Sequence, residues 1–568
     1  MDFDALAAKC RNASFRETLT ASSLWTQAAE TIDTYMNLLQ TGIQFARSDW
    51  NLGNNVQDTD VAEDDDGLGY TFVVDRINST TESLHDDLLP VKHVVINAKQ
   101  ISSHVEALTA VFRFLRNACA TSRNNQDACL DAGLIKRAYD VVLLCCLWVD
   151  VEDVEDEAIK KHIVLLAHVA LQFCVNSVTS NTKNQAAAWE CFFPDVFQKM
   201  LLECHQYRNV VAFTVALILN CVNLNITAAS EVEEVVARRV DLVYARNLVI
   251  TILHRCMVKP QEMDSLLPID TQVDAQDSAF EWISLLFDVL FRAGHIKDLY
   301  NAVGAHMLSK LWSRVTPEQL ILLRMFKMWA VSTPVRISAI ATQEEHSGKQ
   351  VHVFSEATFE FVKSTWTYVI TTGDDDRPNE ADEIRKKMWI ELENEAKLIS
   401  LDVLGELTVG HTRLNAEGAQ KLLISLAQEL QRVWELRRQN PAKRKYRATG
   451  SALQPQTNGE PLGYRSRLIR VIGNLCFQHT YHQDLIRNEG YLPLFLNHCN
   501  IDETNPLVRE WSLIALRNLC EGNEANQSYI NELRPQGMDA ASDISLEKAK
   551  VRAHIEKDGK VKLTKQEK

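Results

Sequence analysis

Apolar residues recur at spacings of three and four through most of this chain, the period of helices that each bury one face. The pattern predicts helices over Ala158–Cys174, Asn209–Asn225, Phe280–Arg292, Gln319–Val331 and Ala419–Gln439. Two-residue alternation is confined to Tyr70–Val74 and Lys349–Phe354. Neither run has a clear pairing partner, so both read as connections between helices. Charged or turn-forming stretches punctuate the pattern. Asp58–Asp66 is acidic, and Asp150–Glu157 is acidic where a helix could start. Gly373–Asp376 reads as a surface loop, and Arg437–Gly463 holds three Pro and three Gly that break any helix. Beyond Arg534–Pro535 a Lys-rich tail follows, with one more helix predicted near Ser545–Ile555.

Four segments align without gaps: Asn117–Gln126, Asn176–Gln185, Asn474–Gln483 and Asn518–Gln527. Each opens on Asn and closes on Gln nine residues later. A second Asn precedes the Gln in three copies, and His482 stands there in the third. Gly133 and Gly490, seven residues past the Gln, mark a turn in two copies. Asn474 to Asn518 is 44 residues, as is Asn176 to Asn220. Armadillo and HEAT repeats run to roughly 40–47 residues, built of two or three helices that stack on their neighbours. The sequence therefore predicts an all-α, armadillo/HEAT-like right-handed superhelical solenoid of about eight to eleven irregular repeats.

Relative to the opening Asn, positions minus five, minus two and plus two are mostly apolar and share one helix face, which predicts burial. Position minus four holds Arg113, Gln172, Arg470 and Ile514. It lies one turn from the Asn on a different face, so stacked copies would align these residues into a ladder. The candidate partner-binding ladder is thus Arg113, Asn117, Gln172, Asn176, Arg470, Asn474 and Asn518. An amide both donates and accepts, so such a row can grip the backbone of an extended peptide. Alternatively each Asn bonds the neighbouring repeat and only fixes the stacking. The closing Gln reads as a loop brace. Ile472, Leu516 and Trp511 are expected in the core, with Trp511 plugging the space between repeats.

Composition narrows the function. With only 20 Gly and 13 Pro in 568 residues, the composition argues against an all-β chain. A formal charge of −15 argues against nonspecific attraction to nucleic acid or anionic membrane. The longest purely apolar run, Val141–Val149, is far shorter than the ~20 residues of a membrane span, so no membrane insertion is expected. The 13 cysteines include no Cys-x-x-Cys pair and sit mostly in apolar stretches, as reduced core thiols of a cytoplasmic protein would. No phosphate-binding glycine loop, nucleophile elbow or His-Glu-x-x-His motif is present. His479 and His482 form a His-x-x-His, but the other copies carry ordinary loop residues there. No catalytic, cofactor or metal site is expected.

The C-terminal copies resemble the ataxin-10 family. Gly463–Cys499 (GYRSRLIRVIGNLCFQHTYHQDLIRNEGYLPLFLNHC) and Asn500–Ile530 (NIDETNPLVREWSLIALRNLCEGNEANQSYI) carry the likeness, with the turn at Cys499–Asp502 and the helix start at Asn505–Trp511. Asn505 is expected to cap that helix, with Pro506 in its first turn. The resemblance implies a cytoplasmic armadillo-type scaffold that binds other proteins, linked in the family to cell division and cytokinesis, without catalytic or cofactor sites. Self-association through the last repeats stays open.

Two other readings remain. A nuclear-import receptor for basic peptides would carry Trp four residues before each groove Asn; here Arg113, Gln172, Arg470 and Ile514 stand there, and the arginines repel basic cargo. An enzyme would need a constellation that the sequence does not present. The expected organisation is N-terminal helices (1–57), an acidic linker (58–80), an irregular helical array (81–436), a basic loop (437–463), the C-terminal repeats (464–535) and a charged tail (536–568). The loop's cluster of Arg437, Arg438, Lys443, Arg444, Lys445 and Arg447 reads as a solvated surface or a dock for an acidic partner.

Overall fold

The computed structural model describes residues 1–19, 22–53, 98–149, 157–224, 229–256, 277–304, 313–344, 355–371, 383–409, 416–439, 460–500, 502, 505–533, 546, 550–555 and 561–565. Among them are 23 helices and two strands. The acidic Asp58–Asp66, the loop Gly373–Asp376, the alternating runs Tyr70–Val74 and Lys349–Phe354, and Lys443, Arg444, Lys445 and Arg447 lie outside the described residues. The chain divides into two compact units, Met1–Val289 and Leu290–Lys568.

The first unit opens with α1 (Phe3–Lys9), α2 (Ala13–Arg16), α3 (Ser22–Gly53), α4 (Ala98–Cys119), α5 (Arg123–Asp131) and α6 (Leu134–Val149). It continues through α7 (Glu157–Val178), α8 (Thr182–Phe192), α9 (Asp195–Glu203), α10 (Arg208–Val222), α11 (Ala229–Tyr244) and α12 (Arg246–His254). The boundary falls inside α13 (Ser278–Arg292). Helices α4, α7 and α10 pack in succession. Leu108, Val111 and Phe112 of α4 and Leu166, Ala170 and Phe173 of α7 are buried, and the rings of Phe112 and Phe173 meet across the first of these seams at 5.9 Å. Helix α7 alone, among the described residues, is long and apolar enough to cross a membrane. It lies between α4, α6 and α10, and its apolar side chains are spent on that packing.

The second unit holds α14 (Ile296–Gly304), α15 (Pro317–Glu344), α16 (Glu356–Thr371), α17 (Glu383–Leu407), α18 (Ala416–Gln439) and α19 (Tyr464–Cys476). Next come α20 (Thr480–Asn488), α21 (Leu492–Asn497), α22 (Val508–Cys520) and α23 (Glu524–Glu532), then the strands β1 (Val551–Ile555) and β2 (Val561–Lys565). Helices α15, α17, α19 and α22 stack in order. At the last crossing a Cβ added to Gly473 would stand 3.3 Å from the Cα of Ala515, so glycine sets how closely α19 and α22 approach. All five predicted helices are present, as α7, α10, α13, α15 and α18. The tail differs from expectation: Val551–Ile555 pairs antiparallel with Val561–Lys565 instead of joining a helix. Alternating Val551, Ala553 and Ile555 oppose Lys565, Leu563 and Val561, a period of two that short-range helix propensity did not outweigh.

Candidate partner-binding ridge

The four aligned segments build the same corner. Four residues past the opening Asn, Thr121, Ser180, Gln478 and Gly522 take left-handed backbone, with φ of 60°, 55°, 51° and 69°. This reverses the chain between the long helix and the short one that follows. Side chains then close the loop. Asn125, Asn184 and Asn526 donate to the carbonyls of Ala118, Ser177 and Leu519, each seven residues back, at 2.9, 3.0 and 2.7 Å. His482 makes the same contact with its Nδ1, 2.7 Å from the carbonyl of Leu475. That explains why histidine substitutes for asparagine in this copy: each presents an N–H at similar reach. His479 accepts from the backbone N of His482 at 3.2 Å and caps α20, so the His-x-x-His pair serves the corner.

The closing Gln braces the loop and ties repeats together. Gln126 donates to the carbonyl of Asn176, and Gln483 to the carbonyl of Asn518, both at 2.8 Å.

In each unit the opening asparagines act as clamps. Asn117, Asn176, Asn474 and Asn518 donate their side-chain N–H to the carbonyls of Ala7, Arg116, Gly405 and Gly473, each at 2.9 Å. Arg116 and Gly473 immediately precede Asn117 and Asn474, so the clamps of Asn176 and Asn518 close on the residue before the preceding rung. By the same offset Glu406, after Gly405, occupies the rung on α17. Asn220 departs from the column and bonds Ala216 within its own helix. At Asn117 and Asn518 the amide oxygens accept from Arg116 and Arg517, which engages both ends of the amide. The oxygens of Asn176 and Asn474 accept no hydrogen bond from another described side chain or backbone group.

The remaining ladder residues are also paired. Arg113 faces Asp4 at 3.6 Å with both side chains largely in water. Gln172 accepts from Arg116 at 2.6 Å and meets His168 Nε2 at 3.1 Å. Burial, and then the Arg116 charge, holds His168 below the usual histidine range, so it is neutral here. Arg470 donates to Glu406 at 2.6 Å, and its guanidinium carbon lies 5.5 Å from the ring centroid of Trp511.

In the second unit, three acids that sequence reasoning missed lie beside the clamps. Arg324 on α15 grips Glu395 on α17 through two 2.6 Å bonds. Asp402 on α17 accepts from Lys327 of α15 at 2.6 Å and from Arg467 of α19 at 2.7 Å. Glu406 takes Arg470 as described. Rows of cations, anions, cations and finally an aromatic thus succeed one another across α15, α17, α19 and α22. Each row was visible as a helical face, since Glu395, Asp402 and Glu406 are seven and four apart and Arg467 and Arg470 three apart. Only stacking says which rows meet.

The turn with the family likeness encloses an arginine. Arg465 is 2% exposed, and its guanidinium donates to Glu460 at 2.8 Å and Asp502 at 2.5 Å. Asp502 also pairs with Arg437 at 2.7 Å, which brings one member of the basic cluster onto this turn. Two acids around a buried guanidinium compensate its lost hydration. Asn505 completes the enclosure by accepting from the backbone N of Arg465 at 2.9 Å and donating to Glu460 at 2.7 Å. The expected cap therefore does not form. Helix α22 starts at Val508 after Leu507 in left-handed backbone, because Asn505 is committed to Arg465 and Glu460.

Burial along α22 also differs from expectation. Ile472 is fully buried on α19, but Trp511 and Leu516 are only half-buried, and Leu513 is 50% exposed. In the earlier copies the equivalent positions, such as Phe112, Leu171 and Ile469, are covered by the next helix of the stack. No described long helix follows α22 to cover these residues.

The 13 cysteines are all free thiols, most of them buried. Burial pushes Cys221 and Cys256 up to about 12 and Cys10 up to about 11, so they stay protonated.

Comparison with known proteins follows the same lines. The family model described as "Spinocerebellar ataxia type 10 protein domain" matches residues 464–564, from the start of α19 through β2. Ataxin-10 of Xenopus tropicalis is 25% identical over 461 residues, 81% of each chain. Ataxin-10 of Homo sapiens is 25% identical over 466 residues, 81% of this chain and 82% of its own. The ataxin-10 homolog of Dictyostelium discoideum is 38% identical over 102 residues, 17% of each chain. The domain match takes in the Arg465 turn and the last two clamps, while the longer alignments reach across most of both helical units, so the chain is similar to ataxin-10 proteins along most of its length.

Proposed function

We propose that this chain is a non-enzymatic scaffold that binds other proteins in the cytoplasm and supports cell division at cytokinesis. The observation that carries the reading is the use of its polar side chains. The repeated amides are spent on holding helices together, as Asn518 is on the carbonyl of Gly473. Their rigid stack presents a continuous row of partly exposed charges, from Arg324 and Lys327 to Arg467 and Arg470. A stack of this kind offers extended surface to a partner protein. In the second unit the oxygen of Asn474, with the charged row, is what the ridge offers. Nucleic acid and membrane are not expected partners for a chain of net charge −15. Self-association fits the apolar face that Leu507, Leu513 and Ile514 leave exposed at α22.

The test has two arms. Depleting the protein from dividing cells should raise the fraction of cells with two or more nuclei, and re-expression should reverse it; unchanged nuclear counts would remove the cell-division role. Partners captured by wild type and by Arg467→Glu/Arg470→Glu should be compared by mass spectrometry. Identical recovery would move the binding surface away from the ridge.

A further inference from the structure

Helix α11 buries two arginines beside its inward apolar residues Val235, Leu242 and Val243, while a second apolar row faces out. Arg238 and Arg239 are 5% and 8% exposed, whereas Val236, Val240 and Tyr244 are 41%, 39% and 67% exposed. The arginines explain the orientation. The last carbonyls of a helix lack intrahelical partners and carry the negative end of its dipole. Arg238 donates to the carbonyl of Cys221 at 2.8 Å and Arg239 to that of Val222 at 2.6 Å, which satisfies the C-terminal end of α10. Arg238 also donates to Gln185 Oε1 at 3.2 Å. From the neighbouring side the Trp189 indole donates to Asp241 at 3.4 Å. Turning α11 to bury Val236 and Val240 would break these bonds, strand carbonyls at the end of α10 and expose Val235, Leu242 and Val243. The row of Val236, Val240 and Tyr244 is therefore held outward by the polar and apolar contacts of the opposite face.

Val236, Val240 and Tyr244 are four apart and form a stripe of about 12 Å. Beside it runs a second exposed row, Glu233, Ala237 and Asp241, with acids at both ends. We propose that this face of α11 docks an amphipathic helix of a partner protein whose apolar stripe is flanked by lysine or arginine. The proposal rests on the scaffold reading and gives one of its partners a chemistry. Charge complementarity selects the occupant: apolar contact supplies area, and basic flanks pair with Glu233 and Asp241. A second copy of this chain packed symmetrically would set these acids against each other. Residues 257–276 of the chain carry one Lys against four acids, which also meets acid with acid.

The test uses the full chain and two labelled synthetic peptides of about sixteen residues. Both carry a leucine stripe, one flanked by lysines and the other by glutamates, and binding is read by fluorescence anisotropy at low and high salt. The lysine peptide should bind about tenfold more tightly than the glutamate peptide, with the gap closing at high salt. Val240→Ser/Tyr244→Ser should abolish binding, and Glu233→Lys/Ala237→Lys should reverse the preference, with melting temperatures unchanged in both variants. Equal binding of the two peptides, no binding, or variants indistinguishable from wild type overturns the proposal. So does a wild-type dimer in analytical ultracentrifugation that Val240→Ser/Tyr244→Ser dissociates. Partner capture that survives the α11 variants leaves the scaffold reading standing and removes only this face. Loss of all partner capture by wild type would instead sink the scaffold reading.

Discussion

Asn518 donates its side-chain N–H to the carbonyl of Gly473 at 2.9 Å, across the seam where α19 and α22 come closest. The two features belong together. Without a Cβ at Gly473 the helices approach closely enough for a short amide to reach the neighbouring backbone, and the bond fixes their register.

Replacing this asparagine separates donor from shape. Asn518→Ala should cost about 1–2 kcal/mol, because the buried Gly473 carbonyl loses this donor. Asn518→Asp should cost more, since a carboxylate of similar shape cannot donate and would face that carbonyl. Both should appear as a lower first melting transition in calorimetry. If aspartate is tolerated as well as asparagine, the bond does not hold the seam.

The left-handed corner offers a paired test. Gln478 is exposed with φ of 51°, and the equivalent residue in the last copy is Gly522 with φ of 69°. Gln478→Gly should stabilise by up to about 1 kcal/mol, because a side chain in this region carries a steric penalty that glycine lacks. Gly522→Ala should destabilise by a similar ~1 kcal/mol. Chemical denaturation of both variants checks the opposite signs.

Asp402 sits between two cations, so its removal should be felt twice. Asp402→Asn leaves Lys327 and Arg467 facing one another without the intervening charge and should cost roughly 1–2 kcal/mol. A double-mutant cycle with Arg467→Met should give a coupling of about 0.5–1 kcal/mol that shrinks as salt is raised. Strict additivity at low salt would show that the contact contributes nothing.

His498 provides a pH signature. It is buried beside Trp434 with its Nδ1 2.7 Å from the Leu494 carbonyl, and burial pushes its pKa down to about 4, with Arg465 and Arg437 lowering it further and Asp502 opposing them. In the unfolded chain it titrates near the usual ~6.5. The unfolded state therefore binds more protons between these values, and stability falls as pH drops from about 6.5 toward 4, by up to ~3 kcal/mol. Above 6.5 this contribution is fully present. His498→Gln should flatten the slope of melting temperature against pH in that window; an unchanged slope would mean that other groups produce it.

Much of the fold was legible because helical period reports burial directly. The clamps at Asn117, Asn176, Asn474 and Asn518 were found by alignment, although spacing alone left both peptide binding and inter-repeat bonding open, with the latter favoured. Distances to Ala7, Arg116, Gly405 and Gly473 show where the amide hydrogens go. Trp511 illustrates the converse. Its spacing on α22 matches a core position, but burial depends on what stacks beyond the helix, and α22 is left half-covered. At the tail, residues 551–555 are too short a run for period to separate strand from helix, and pairing with 561–565 decides it.

The sequence by itself determined the all-α class, the repeated corner and the likeness to ataxin-10, because each depends on local period or on residues close along the chain. Tertiary structure decided which faces meet. Asp402 finds Arg467 65 residues away, Asn505 turns from a helix cap into a partner of Arg465, and α11 turns its arginines inward to the end of α10. The physical reason is that helical period selects a face without naming its neighbour, and polar groups settle wherever stacking leaves an unsatisfied partner within reach.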